Sequence, residues 1–75
     1  MQYWPNASRW VAAGEPVRLW TVGCSDSMKE ALKVILHWRD EYRYILLEAW
    51  VDVFKDGKKV KTIRYTMNEI KRLRA

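Results

Sequence analysis

Sulfur and imidazole chemistry in this chain rests on two residues, Cys24 and His37. Cys24 follows Gly23 and shortly precedes an apolar-periodic segment, and a thiol near a helix start gains nucleophilicity from the positive end of the helix dipole. A nucleophile also needs a base, and His37 falls on the far, exposed face of the same expected helix. Cys24 is therefore expected as a small half-buried residue and His37 as a solvated one. One cysteine with one histidine is too small a set for a structural zinc site, and a single cysteine closes no intramolecular disulfide. No metal or cofactor is expected. Among the carboxylates, Asp40 and Glu41 are adjacent, and Glu48 and Asp52 share one strand face. The latter two stand about 13 Å apart at the rise of a β-strand, beyond the reach of a shared acid–base task, and are expected to pair with the facing basic strand. No phosphate-cradling glycine loop, nucleophile elbow or H-E-x-x-H pattern occurs, and three glycines cannot build such a loop. The chain is not expected to be an enzyme.

Binding chemistry is better represented. Residues 55–75 hold eight Lys and Arg against two acidic residues, a balance of +6, whereas the whole chain carries +5. The excess is thus confined to the C-terminal segment, and such asymmetry points to an anionic partner, most often nucleic acid. Lys58, Lys59, Lys61, Arg64, Lys71, Arg72 and Arg74 are the candidate phosphate-contacting residues; their role would be neutralisation, which positions a protein without reading sequence. The competing explanation is that lysines on an exposed hairpin protect a sheet edge from aggregation. Trp50, Phe54 and Tyr65 are candidate stacking residues, since aromatics among cations suit base stacking with phosphate neutralisation. The alternative is that the terminal helix, or Trp4 and Trp10, covers these aromatics as a second small core, and this is the expected arrangement because a short helix needs packing to persist. Signatures of the helix-turn-helix, zinc-finger, KH and RRM modules are absent.

These residues must be held by a small set of elements. Residues 5–13 read either as a short helix opened by Pro5 and stopped by Gly14, or as a strand from Arg9 to Ala13, with the helix slightly preferred. Val17 to Val22 is β-branched and aromatic and reads as a strand. Ser27-x-x-Glu30 is a capping-box pattern, and Ala31, Leu32, Ile35, Leu36 and Trp38 recur at helical spacing from Met28. Arg39 falls inside that apolar arc, so the helix is expected to end near residue 39 or 40. Arg43 to Phe54 reads as a long strand with Ile45, Leu47, Ala49, Val51 and Val53 on the core face. Asp56-Gly57 signals a tight hairpin pairing Val53 with Val60, Asp52 with Lys61 and Val51 with Thr62. Thr66-x-x-Glu69 is a second capping-box pattern, opening a short helix with Met67, Ile70 and Leu73.

The expected fold is α+β in two layers: a three- to four-stranded antiparallel or mixed sheet packed on one main helix, with a short C-terminal helix. Residues 1–75 form a single domain at the lower size limit for unaided folding, and 49% apolar with 31% charged residues is a globular balance. Apolar runs are too short to span a membrane, and the N-terminus carries no secretory pattern, which makes the cytoplasm the expected location. The expected function is a small non-catalytic binding module contacting nucleic acid through the basic hairpin and helix. The alternative is a protein-interaction or inhibitor module, facing an acidic protein surface, with a hot spot at Trp50, Phe54 and Arg64. A homodimer is the third option, since ten aromatics in 75 residues suit a core completed across a two-fold axis.

Overall fold

In the computed structural model, which describes residues 1–74, four strands and two helices follow the order β1 (Gln2–Arg9), β2 (Val17–Trp20), α1 (Met28–Asp40), β3 (Leu46–Lys55), β4 (Lys58–Thr66) and α2 (Met67–Arg72). The strands form one antiparallel sheet in the order β2-β1-β3-β4, and the architecture is α+β. Both helices pack on the same face. Ala31, Ile35 and Trp38 of α1 and Ile70 of α2 join Ala7, Leu46, Ala49, Val51 and Val53 of the sheet in a single core.

The N-terminal segment corrects the helical expectation for residues 5–13. Gln2 to Arg9 is a central strand, and its alternate residues Pro5 and Ala7 are fully buried beneath the helices. Tyr3 exchanges two backbone bonds with Ser25, at 3.0 and 2.8 Å, on the side of β1 that β2 also uses. Two residues on, the imino nitrogen of Pro5 faces that same side, where β2 has already ended at Trp20 opposite Asn6. Proline therefore costs no ladder bond here, which is why a central strand tolerates it.

The main helix begins as expected, with the Ser27 hydroxyl accepting the Glu30 N–H at 3.1 Å. The Glu30 carboxylate turns instead to Lys33, at 3.3 Å. At the other end Arg43 adopts φ 57°, and the Tyr44 N–H returns to the Trp38 carbonyl at 3.0 Å to turn the chain into β3. Two bulges then reset the strand registers. Between Ser8 and Arg9 the pairing of β1 with β3 skips Leu47, so Leu46 enters the core and Ile45 is left exposed, not the Ile45/Leu47 set that simple alternation implies. On β4 the register shifts at Val60: Val53 faces Lys61, Asp52 faces Thr62, and Val60 is exposed instead of facing the core.

The hairpin turn is Asp56-Gly57, with φ of 52° and 79°. Nothing lies within 4 Å of a Cβ built on Gly57, so only backbone strain opposes a side chain there. Gly57→Val is accordingly expected to lower stability by about 1–2 kcal/mol, the cost of a left-handed conformation for an L-residue. Chemical denaturation checks this, and an unchanged midpoint would contradict it. α2 carries a complete capping box: the Thr66 hydroxyl accepts the Glu69 N–H at 3.2 Å, and the Glu69 carboxylate accepts the Thr66 N–H at 3.0 Å. No helix among the described residues is long and apolar enough to cross a membrane.

Candidate functional site

Because α1 and α2 share one side of the sheet, the other side is bare. Val51 and Val53 point towards the helices, so Trp50, Asp52 and Phe54 point away from them. Cross-strand register extends this face outward. Trp50 lies opposite Asn6 and Arg64, Asp52 opposite Trp4 and Thr62, and Phe54 opposite Lys59. On the far side of β1, Trp20 and Arg18 of β2 pair with Asn6 and Ser8. The expectation that the terminal helix covers Trp50 and Phe54 is thus overturned: Ile70 is 2% exposed, but in the core beneath the opposite face.

A polar chain crosses the bare face through all four strands. Arg18 Nη2 donates to Asn6 Oδ1 at 3.0 Å, and Asn6 Nδ2 donates to the Trp4 carbonyl at 2.9 Å and reaches Asp52 Oδ2 at 3.5 Å. Thr62 Oγ1 donates to Asp52 Oδ1 at 2.7 Å, and Lys59 Nζ lies 3.7 Å from that oxygen. Asn6 is 4% exposed, so these bonds satisfy an amide that burial would otherwise penalise. Aromatic rings flank the chain. The Arg18 and Arg64 guanidiniums stand 5.6 and 5.7 Å from the Trp50 ring centre, and Trp4 meets Phe54 edge-on at 6.5 Å. Trp20 is 65% exposed and supplies the freest ring of the face.

The basic candidates do not form one surface. Lys59 and Arg64 lie on the bare face, each beside a carboxylate: Asp52 for Lys59, and Glu48 for Arg64 at 3.6 Å. Lys61 pairs with Val53 and Lys58 with Lys55, which places both on the helix-side rim of the hairpin. Lys71, Arg72 and Arg74 follow at α2, with Lys58 at the opposite end of β4, about 26 Å of strand away. Arg72 Nε bonds back to the Asn68 carbonyl at 3.3 Å. Tyr65 is likewise separated from Trp50 and Phe54. It faces Ala49 and packs against the core, where burial, with a contribution from Glu69, raises its phenol above the ordinary tyrosine range.

Cys24 is exposed where a half-buried residue was expected, and His37 is exposed as expected, its ring edge-on to Tyr42 at 4.9 Å. No group of three or more His, Cys, Asp or Glu side chains suited to a metal is found among the described residues. Sequence reasoning missed Arg18, Asn6 and Trp20, and gave Trp4 only a covering role. The alternation Trp4, Asn6, Ser8 was the available signal for β1, but reading Pro5 as a helix start concealed it. No protein-family model matches the chain, and no curated protein or solved structure is significantly similar to it.

Two carboxylates that secure α2 carry its pH dependence. The Arg39 hydrogen bond holds Asp40 below its ordinary pKa, and the backbone and hydroxyl of Thr66 do the same for Glu69. Both folded values are depressed, so the associated stabilisation is present above the ordinary carboxylate range near 4 and is lost as pH falls through the folded values. The unfolding midpoint should therefore drop on acidification below about pH 4, with Glu69→Gln and Asp40→Asn each flattening that drop. Thermal melts across the acid range check it; identical pH profiles for wild type and the double variant would refute it.

Proposed function

We propose that this protein is a small non-catalytic binding module that holds single-stranded nucleic acid on the bare face of its sheet. The observation that carries the reading is the assembly of Trp4, Trp20, Trp50 and Phe54 with Arg18, Lys59 and Arg64 on a face that neither helix covers. Bases in a single strand expose flat π-surfaces that stack on aromatic rings, and their phosphates attract guanidinium and ammonium groups. Lys58, Lys61, Lys71, Arg72 and Arg74 lie off this face and contribute a positive field that draws a polyanion to the molecule. One observation favours an acidic or neutral protein partner instead: Lys59 and Arg64 are already beside Asp52 and Glu48, which lowers the charge the face offers.

Titration of tryptophan fluorescence with single-stranded DNA, single-stranded RNA and duplex DNA at two salt concentrations separates the readings. Binding to single strands should weaken with salt, with a log–log slope near −0.7 per phosphate contact. Lys59→Glu should weaken it more than Lys61→Glu, since only Lys59 lies on the bare face. Absence of binding to all three at low salt would overturn the nucleic-acid reading and leave the protein partner.

A further inference from the structure

β2 ends at Trp20, opposite Asn6, while β1 runs on to Gln2 beside β3. The missing continuation of β2 leaves a groove of about 570 Å³ on the bare face, between Trp20 and the Trp4–Phe54 pair. That volume is in the range of pockets that hold one small ligand, and three aromatic rings, Trp4, Trp20 and Phe54, stand among its walls. Arg18 lines the groove and is exposed. Among the described residues it is the one cation of the bare face with no carboxylate within 4 Å, since Lys59 and Arg64 are paired and Asp52, which lines the same groove, is held by Asn6, Thr62 and Lys59. Its Nη2 bond to Asn6 fixes the guanidinium in place, and among the described residues its other N–H groups make no side-chain hydrogen bond.

We propose that this groove seats one unstacked nucleotide unit of a bound single strand, its base against Trp4 and Trp20 and its phosphate on Arg18; this rests on the binding reading above. The chemistry favours such an occupant over a neutral one. Flat aromatic walls match a base, and a guanidinium with free donors matches a phosphate in fork geometry. Of the amides and hydroxyls that line the groove, only the exposed Gln2 amide makes no side-chain hydrogen bond among the described residues. Asn6 spends its amide on Trp4, Asp52 and Arg18, and the Thr21 hydroxyl donates to the Gly23 carbonyl at 2.6 Å. Seating therefore rests on stacking and on the phosphate contact, and Gln2 is the one lining amide left to favour a particular base or sugar.

Short single-stranded DNA and RNA oligonucleotides of purine and of pyrimidine sequence, titrated against wild type, Trp20→Ala and Arg18→Met, test this. Trp20 is exposed, so Trp20→Ala should leave the unfolding midpoint near wild type; Arg18→Met takes the donor from the buried Asn6 oxygen and should lower the midpoint, so affinities are read well below melting. Trp20→Ala should weaken binding about ten-fold or more, the value of one stacked base, and an oligonucleotide with one abasic site per binding length should lose affinity for wild type likewise. Arg18→Met should weaken binding and reduce the salt slope by about 0.7, whereas Lys29→Met, an equal charge loss on the exposed side of α1, should change neither slope nor affinity more than two-fold. Wild-type binding that survives both replacements within two-fold would overturn the groove and leave the binding module standing. No binding by wild type would overturn both, and equal affinity for polyglutamate would show a charge-only contact with no seated base.

Discussion

Replacing Arg39 by Met should lower stability by about 2–3 kcal/mol and release α2 from the core, the scale of losing hydrogen bonds to a charged donor. Arg39 sits on the apolar arc of α1 with its side chain 23% exposed, a position that looks unfavourable from periodicity alone. Its fork resolves the conflict. Nη1 donates to the carbonyls of Ile70 and Leu73, and Nε and Nη2 grip Asp40 at 2.6 and 2.8 Å. A helix of six residues is far too short to persist by itself, and at its end the Ile70 carbonyl accepts only the C-cap Leu73 N–H, at 3.2 Å, from its own segment. Arg39 adds a charged donor from another element to the Ile70 and Leu73 carbonyls and lays positive charge at the negative end of the α2 dipole. The Met side chain keeps the apolar stem and removes only the donors. A domain of this length has on the order of 4–11 kcal/mol in hand, so the loss is a large fraction of the whole. Asp40→Ala should cost less, because the Asp40 side chain is 55% exposed and such pairs are worth little. Denaturant melts give the stability change, and amide exchange over residues 67–72 reports the helix. Undiminished protection there with an unchanged midpoint would contradict the assignment.

Arg39 also illustrates what the sequence conveys and what it leaves out. Signals confined to a few neighbouring residues survive intact: Ser27 caps α1, Asp56-Gly57 makes the hairpin, and Thr66 with Glu69 opens α2. Each depends on local hydrogen bonds or on backbone conformation, which nearby residue types determine. Decisions between distant segments are not written that way. Residues 5–9 fit two local conformations, and pairing with β3 on one side and β2 on the other selects the strand. The bulges at Leu47 and Val60 each add one residue to a strand, which alternation cannot register, so the expected faces of Ile45, Leu47 and Val60 all move. The side of the sheet taken by α2 follows from Ile70 and Arg39, thirty-one positions apart in the chain. For the same reason the binding face was only half legible. Trp50, Phe54, Lys59 and Arg64 lie on one hairpin and were visible together, whereas Arg18, Asn6, Trp4 and Trp20 arrive from the first two strands.

Replacing Asp52 by Ala should lower stability and raise affinity for single-stranded nucleic acid, two effects of opposite benefit from one carboxylate. Its side chain is 16% exposed and accepts from Thr62 and Asn6 while standing beside Lys59. Removing it leaves the Thr62 hydroxyl without that acceptor, while the Asn6 amide keeps the Trp4 carbonyl, and the loss should reach about 2 kcal/mol, as for other bonds to a charged group. Asp52→Asn keeps the shape and one acceptor oxygen and should cost about half as much. The binding consequence runs the other way. With Asp52 gone, Lys59 has no neutralising partner, and the face gains one free positive charge next to the groove. The salt dependence should steepen by about 0.7 in log–log slope, with the affinity gain largest at low salt, where screening is weakest. Stability is read from denaturant melts and affinity from fluorescence titrations well below the melting temperature, so neither measurement can imitate the other. A protein partner predicts the reverse pattern for affinity, since a disordered Asn6–Thr62 network would weaken a contact that depends on fixed shape. A variant that is less stable and binds nucleic acid no better, or more weakly, would count against phosphate recognition on this face.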